Sequence, residues 1–335
     1  MGDYLAQLHA LEITLILWLQ GFEWLELPML AATALGTAAF YLAVLPAVYW
    51  SYDHRIGYQF GFILLIVGSL NALGKLAFHL PRPYWIDTRV RAYLHEATFG
   101  MPSGHAQISL AVFGLVGVYF RSRLAWVLIL LLIFMIGFSR IFLGVHFPSD
   151  VLLGWWIGAI LLVGIFVFRR GRTSVDAGSS STRILVIYFL LSFGILLAGL
   201  LAVEWIASAG WVLPDEWISN AMAAFPNRDP IDPMNIETLA ISTGALFGFL
   251  LGGQILESYQ AKGPILKRLL RYFLGMSGIG VLYAVTMPLT FVDDGWLGAG
   301  LQFGRFALVG LWISWWAPLL FIRLGLAEKP MPSPG

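Results

Sequence analysis

Long apolar stretches alternate with short polar ones along most of the chain. Nine stretches are long enough to cross a bilayer core, which takes about 17–25 apolar residues in a helix. An open sheet would leave backbone groups unsatisfied in lipid, and these stretches lack the alternation of barrel strands, so the pattern predicts helices. The predicted spans are residues 28–50, 58–78, 104–120, 124–143, 151–168, 184–207, 236–256, 272–291 and 304–322.

A polar segment rich in Arg, Gly and Ser interrupts this pattern at residues 169–183. We therefore predict an all-α, polytopic membrane protein with a five-helix N-terminal unit and a four-helix C-terminal extension. The apolar run at residues 11–19 is too short to span and favours a helix lying in the membrane interface. The predicted organisation is an interfacial N-terminal helix (1–27), the five-helix core (28–170), a cytoplasmic linker (171–183), the four-helix transmembrane extension (184–325) and a tail (326–335).

Composition agrees with a membrane protein, since 59% of the residues are hydrophobic and only 12% are charged. When the predicted loops are taken alternately, Lys and Arg divide 13 to 7 between the two sides. Because the richer side should be cytoplasmic, we predict the N-terminus outside and the C-terminus inside. A net charge of +1 without a basic helix or strand gives no indication of nucleic-acid binding, and the lack of cysteine excludes thiolate nucleophiles and Cys-ligated metals.

Three short polar segments break the apolar background at the ends of predicted spans. A chain that avoids charge so strongly is not expected to place ionisable residues there without a function. The predicted topology turns all three segments toward the outer face, so we expect them to meet. The first holds Lys75 and Arg82, the second Ser103, Gly104 and His105, and the third Arg140, His146 and Asp150.

The charges in these segments favour a phosphate ligand. Lys75, Arg82 and Arg140 are three cations with only one acid, Asp150, among the segments. Arginine donates planar pairs of hydrogen bonds to phosphate oxygens, and lysine adds a point charge. Ser103 and Gly104 open a predicted helix, where free N–H groups attract anions. No cluster of carboxylates suggests a metal site, and we predict neither metal nor cofactor.

The two histidines have the placement that phosphoryl transfer requires. His146 and Asp150 are four residues apart, which is one helical turn if Pro148 starts the fifth helix. A carboxylate bonded to one imidazole nitrogen makes the other nitrogen a better nucleophile. His105 is then available to protonate the leaving oxygen and later to activate water.

The three segments together resemble the signature of the type 2 phosphatidic acid phosphatase superfamily. That superfamily includes lipid phosphate phosphatases, undecaprenyl-pyrophosphate phosphatases, glucose-6-phosphatase, bacterial acid phosphatases and vanadium haloperoxidases. Every fixed position of its three motifs is present in this sequence. The resemblance implies a phosphatase core at residues 28–170, with His146 as nucleophile, Asp150 orienting it and His105 as acid and base. It implies phosphate binding by Lys75, Arg82, Ser103, Gly104 and Arg140.

The resemblance leaves the substrate open. A phosphorylated lipid at the outer leaflet of a bacterial inner membrane is favoured, with undecaprenyl pyrophosphate, phosphatidylglycerol phosphate and phosphatidic acid as candidates. The nine-span layout and the run Arg82–Pro83–Tyr84–Trp85 instead resemble the glucose-6-phosphatase branch, which would imply a soluble sugar phosphate, although Asp150 follows the lipid phosphatase pattern. A phosphotransferase, and a transporter or binding protein that keeps a phosphate site, are further alternatives.

Other residues receive weaker interpretations. The outer loop 84–100 is either a lid that selects the headgroup or a solvated connector. His9 and His54 are expected at the surface, and His79 in a non-catalytic role. Four tryptophans suggest an interfacial belt, and four glycines fit either close packing within the chain or a homodimer face. These are Trp205, Trp211, Trp217 and Trp296, and Gly244, Gly248, Gly252 and Gly253.

Overall fold

A computed structural model of the chain describes residues 2–120, 122–171, 181–256, 259–288 and 295–328. Their regular structure is helical, with one isolated β-bridge between Gln260 and Glu328. The all-α prediction is confirmed. The described α-helices are α1 Gly2–Gln20, α2 Glu26–Ala34, α3 Ala38–Ala47, α4 His54–Phe78, α5 Pro83–Ile86, α6 Gly104–Phe120, α7 Arg123–Phe142, α8 Pro148–Gly171, α9 Ser181–Ser208, α10 Asp215–Ala224, α11 Glu237–Ile255, α12 Ile265–Thr286, α13 Gly295–Leu311 and α14 Ala317–Arg323.

Most of the predicted spans are present as helices. Among the described residues, seven helices are long and apolar enough to cross a membrane, and α1 with α2 would add an eighth if their 86° bend lies within one span. Two shorter apolar helices are also present, Ala38–Tyr52 and Gly104–Phe120. The chain is therefore polytopic, as predicted, and the count of nine is approximate.

The first predicted span, residues 28–50, is wrong as a continuous helix. The structure ends α2 at Ala34 and begins α3 at Ala38. Gly36 lies in the turn between them, and the ring of His105 occupies the space that a Cβ would need. The residues of the turn are not polar enough to mark it, so an apolar pattern alone could not reveal the break. The predicted start at residue 272 is also late, because α12 already begins at Ile265 and includes its basic residues.

The helices form two compact units, each assembled from stretches that are far apart in the sequence. Unit 1 contains Met1–Ala38, Leu70–Gly171 and Leu201–Asn235, and unit 2 contains Ala39–Ser69, Arg172–Leu200 and Ile236–Gly335. The sequence suggested contiguous domains instead, and those boundaries stay a prediction. The predicted linker at 171–183 and the tail at 326–335 lie largely outside the described residues.

Unit 1 carries all three polar segments. Helix α6 packs against α7 and α8, while α1 and α2 pack against α7 and α10 packs against α5. The aromatic side chains of Phe99, Phe142 and Phe147 are fully buried in it. Because these phenylalanines flank the polar segments directly in sequence, burying them anchors the loops that carry the charged residues.

Unit 2 is built around α11 and α13. Gly244 and Gly248 of α11 lie against the backbone of Phe303 and Ala307, where a Cβ on either glycine would collide with a carbonyl oxygen. These glycines therefore serve packing within the chain, and the homodimer stays a prediction. Buried aromatic residues complete the unit, and Trp50 Nε1 donates a hydrogen bond to the carbonyl of Ile313 at 2.8 Å.

Candidate active site

The eight residues singled out in the sequence come together in unit 1. Each lies where a helix begins or ends, so short connections between helices bring the three segments side by side. Lys75 is in the last turn of α4, Arg82 precedes α5, Ser103 precedes α6, Gly104 and His105 open it, Arg140 is in the last turn of α7, His146 follows α7, and Asp150 is in the first turn of α8.

His146 is held between a carboxylate and a guanidinium. Its Nδ1 lies 3.2 Å from Asp150 Oδ2, and the same oxygen accepts a hydrogen bond from the backbone N–H of Phe147 at 2.9 Å. Its Nε2 lies 3.3 Å from Arg82 Nη1. A guanidinium can only donate, so Nε2 must accept and the ring proton must sit on Nδ1. This tautomer leaves the lone pair on the nitrogen that faces Arg82.

The surroundings of His146 keep its ring neutral. Burial lowers the pKa of His146 well below its usual value, and the positive charges of Arg82, Lys75 and Arg140 lower it further. The side chain is only 2% exposed. An imidazole that stays unprotonated near pH 7 retains the lone pair that a nucleophile needs.

Arg82 and Lys75 hold the loop that leads into the second polar segment. Arg82 is fully buried and donates to the carbonyls of Thr98 at 2.6 Å and Val145 at 2.9 Å. Lys75 Nζ donates to the carbonyl of Phe99 at 2.6 Å and to Thr98 Oγ1 at 3.1 Å. Both cations are thus oriented by backbone oxygens, which solvate their charge without neutralising it.

Glu96 is a residue of the site that the three polar segments do not predict. Its carboxylate lies 3.5 Å from Arg82 Nη2 and forms a second ion pair with Arg140. The expectation of three cations with a single acid is therefore wrong, because the outer loop folds back and supplies a second carboxylate. The Tyr84 hydroxyl fixes the loop by donating to the carbonyl of Glu96 at 2.9 Å and accepting from its N–H at 3.1 Å.

The protonation state of Glu96 follows from these contacts. Burial raises the pKa of its carboxyl, but the charges of Arg82, Arg140 and Lys75 more than offset this and hold the pKa below its usual range. Glu96 is therefore a carboxylate at any ordinary pH. One feature of the sequence could have pointed to Glu96, because it is an acidic residue between the first two polar segments of a chain with few charges. The sequence does not decide whether the loop that carries it is a lid or a solvated connector.

The start of α6 forms a tight cradle. A Cβ on Gly104 would lie 2.9 Å from Asn71 Oδ1, so a larger residue would push Asn71 away. Asn71 Nδ2 in turn donates to the carbonyl of Pro102 and to Gln107 Oε1. Three buried polar atoms of the segments have no hydrogen-bond partner among the described residues, namely Ser103 Oγ, His105 Nε2 and Arg140 Nε. Unpaired buried polar atoms are costly, and these three are grouped in the segments that the sequence predicts to bind phosphate.

Residues 201–235 contribute an aromatic wall to this unit. Trp211 packs edge-on against Phe99 with ring centroids 5.7 Å apart, and Trp217 packs on Trp85 at 6.0 Å. Asn220 Nδ2 donates to the carbonyl of Trp85 at 2.9 Å. The sequence predicts both tryptophans in an interfacial belt and gives no indication of these contacts.

Two family models match the chain, one on each side of this segment. The PAP2 superfamily matches residues 57–174, and the model described as PAP2 superfamily phosphatase, transmembrane extension, matches residues 238–329. Together they cover well over half of the sequence. The chain belongs to the PAP2 superfamily. With its apolar helices it is therefore an integral membrane protein, and the resemblance drawn from the three polar segments is confirmed.

Several curated proteins are similar to this PAP2 chain. Phosphatidylglycerophosphatase B of Bacillus subtilis is 27% identical, over 41% of this chain and 72% of that protein. Human Glucose-6-phosphatase 3 is 31% identical, over 41% of this chain and 47% of that protein. Undecaprenyl-diphosphatase BcrC of Bacillus subtilis is 36% identical, over 30% of this chain and 50% of that protein. Apart from the first, the chain spans about half the length of these relatives.

A crystal structure of a transmembrane PAP2 type phosphatidylglycerolphosphate phosphatase from Bacillus subtilis is a distant neighbour. It shares 21% identity with a TM-score of 0.42, over 50% of this chain and 88% of that one.

Among the described residues of the PAP2 chain, no group of three or more His, Asp or Glu side chains has the arrangement of a metal site.

Proposed function

We propose that this PAP2 protein is a membrane phosphatase that hydrolyses a phosphomonoester or pyrophosphate through a phosphohistidine on His146. The observation that carries the proposal is the environment of that ring: Asp150 lies at Nδ1, and a phosphate-binding type of side chain, Arg82, lies at Nε2. Family membership and the phosphatase names of the relatives support the same reaction class.

In the first step, Nε2 of His146 attacks the phosphorus. The bond between phosphorus and the leaving oxygen breaks as the N–P bond forms, and His105 donates a proton to that oxygen. Asp150 accepts the hydrogen bond from Nδ1–H and stabilises the positive charge that develops on the ring. Arg82 moves its hydrogen bond from the ring to a phosphate oxygen, which frees the lone pair for attack.

In the second step, water attacks the phosphohistidine. His105, now neutral, takes a proton from the water, the N–P bond breaks, and inorganic phosphate leaves with His146 restored. Lys75, Arg82, Arg140, the unpaired Ser103 hydroxyl and the Gly104 N–H stabilise the charge on the equatorial oxygens in both steps. This cationic set performs the charge neutralisation that metal ions provide elsewhere, so metal independence and the lack of a cofactor are part of the proposal.

A phosphorylated lipid is the substrate class that we favour. The polar segments lie at the ends of apolar helices, which is where lipid headgroups are found, and several relatives are named for lipid phosphates. Undecaprenyl pyrophosphate, phosphatidylglycerol phosphate and phosphatidic acid are the candidates. The site would face the periplasm of a bacterial inner membrane, with the N-terminus outside and the C-terminus in the cytoplasm.

The second candidate is hydrolysis of a soluble sugar phosphate. The similarity to human Glucose-6-phosphatase 3 favours it. The same phosphohistidine could also pass phosphate to an alcohol, since water and an alcohol attack by the same chemistry. Transport or binding without turnover would leave no use for an oriented His146.

The deciding experiment is phosphate release by purified protein in detergent with EDTA. The panel holds the three lipids, glucose 6-phosphate and an aryl phosphate. His146→Ala is the test variant, and His54→Ala, a histidine of unit 2, is the matched control. We expect release by wild type and His54→Ala despite EDTA, and none by His146→Ala. Loss of wild-type release in EDTA would contradict metal independence, and release by His146→Ala would contradict the phosphohistidine.

A further inference from the structure

Helix α1 lies outside both segments that the family models match, yet it carries two buried polar side chains. His9 is 6% exposed and Glu12 is 8% exposed, so the surface position expected for His9 is wrong. They share one face of α1 with Ile13 and Ile16, which are also buried in unit 1. Burying a carboxylate on an apolar helix is costly unless it is well paired.

The partner of Glu12 is the start of the helix that carries Asp150. Glu12 Oε1 accepts the backbone N–H of Ser149 at 2.7 Å, and Oε2 accepts the Ser149 hydroxyl at 3.1 Å. Asp150 accepts the N–H of Phe147. The N–H of Phe147, just before α8, is thus bound by Asp150, and the N–H of Ser149, in the first turn of α8, is bound by a carboxylate from α1. An anion at this position is favoured by the unsatisfied N–H groups and the helix dipole.

Two more contacts tie α1 to the chain around His146. The ring of His9 stacks on Phe147 with centroids 4.1 Å apart and planes 6° apart. Gln20 Nε2 donates to the carbonyl of Phe142 at 2.9 Å. Helix α1 therefore holds residues 142, 147 and 149, which lie on both sides of the nucleophile in sequence.

We propose that α1 positions the nucleophile, with Glu12 as a positioning residue that acts through Ser149. Glu12 fixes the start of α8, which sets the distance between His146 and Asp150 and the direction of Nε2. The inference rests on the proposed function, because it concerns the same His146. A shift of about 1 Å in a reacting group can lower a rate about 100-fold, so a contact outside the cleft can control the first step.

The test measures the rate of phosphoenzyme formation in single turnover, with KM and thermal stability measured alongside. The variants are Glu12→Ala, Glu12→Gln, Ser149→Ala and Glu12→Ala with Ser149→Ala. Glu23→Gln is the charge-matched control, since Glu23 is exposed. Thr14→Ala is the control on α1, since the Thr14 hydroxyl is exposed and donates to the carbonyl of Ala10 in the same helix.

We expect Glu12→Ala to slow phosphoenzyme formation about 10- to 100-fold, within the range for a misplaced group, while KM changes less than about twofold. Glu12→Gln should recover part of the rate, because its amide oxygen can still accept the Ser149 N–H. Adding Ser149→Ala to Glu12→Ala should cost little more, since both act through one contact. Both controls should match wild type.

Other outcomes would overturn the inference. Unchanged phosphoenzyme formation in Glu12→Ala would do so, as would a loss explained by fewer folded molecules with an unchanged rate for those that fold. If Glu12→Ala does not fold, Glu12→Gln and Ser149→Ala carry the same test. A wild type that forms no phosphoenzyme would instead contradict the proposed function, which separates the two failures.

Discussion

Replacing Glu96 with glutamine tests whether its carboxylate competes with the substrate phosphate. Glu96 pairs with both Arg82 and Arg140, the two arginines proposed to bind phosphate. Glutamine keeps the shape and one acceptor but removes the charge. The substitution raises the net charge of the cluster by one unit, and an incoming phosphate then no longer displaces an ion pair.

The size of the effect follows from the distances and the exposure. A unit charge about 4 Å away contributes about 4 kcal/mol at an effective dielectric constant of about 20. Glu96 is 27% exposed, so water screens part of this energy. Part of the expected gain in phosphate binding is also lost, because the glutamine oxygen still accepts a hydrogen bond from an arginine that the phosphate must displace. We therefore expect a net gain of about 1.4 kcal/mol for phosphate, which is a factor of about ten in affinity.

The assay is competitive inhibition by inorganic phosphate, since Ki reports anion binding without the lipid tail. Glu96→Gln should lower Ki about tenfold, and the gain should shrink in high salt. Asp87→Asn removes a charge from the same loop, where Asp87 pairs with the exposed Arg89, and should leave Ki unchanged. An unchanged or higher Ki in Glu96→Gln would refute the competition and indicate that Glu96 instead holds the arginines in place.

Three further predictions concern the histidines. Asp150→Asn should lower kcat about 10- to 100-fold with little change in KM, because it removes the charge that stabilises the His146 cation in the transition state. A rise in KM as large as the fall in kcat would contradict this role. Gly36→Ala should lower kcat about tenfold, because the new Cβ would lie 2.5 Å from His105 Cδ2. Gly164→Ala, whose Cβ would have nothing within 4 Å, should match wild type. Equal activity of the two variants would refute the steric argument. Since burial and nearby cations lower the pKa of His146, phosphoenzyme formation should persist at pH 6 and decline only at lower pH; a midpoint near pH 6.5 or above in a pH–rate profile would contradict a neutral, buried ring.

Much of the fold could be predicted from the sequence because apolar length is a local property. A helix such as α6 begins and ends at the predicted residues, 104 and 120, since Pro102 and Ser103 precede a long apolar run that starts at Gly104. The eight candidate site residues could be found for a similar reason. Their types and spacing stand out against a charge-poor chain, and the alternation of helices brings the ends of α4 and α7 and the starts of α6 and α8 together.

The parts that could not be predicted depend on contacts between residues far apart in sequence. Glu96 has the same local surroundings whether its loop is solvated or folded onto Arg140, and only the folded chain places it between two arginines. In the sequence, Glu12 is likewise a single acid in an apolar run. Its role is visible only in the folded chain, where it contacts Ser149, which is 137 positions away.

The order of residues is enough to predict a helical membrane protein with side chains suited to binding phosphate, because hydrophobic length and motif spacing are properties of neighbouring residues. The folded chain is needed to see that Glu96 pairs with Arg82 and Arg140 and that α1 contacts the residues on both sides of His146. Those pairings depend on distances between atoms in space, and a linear order of residues does not contain them.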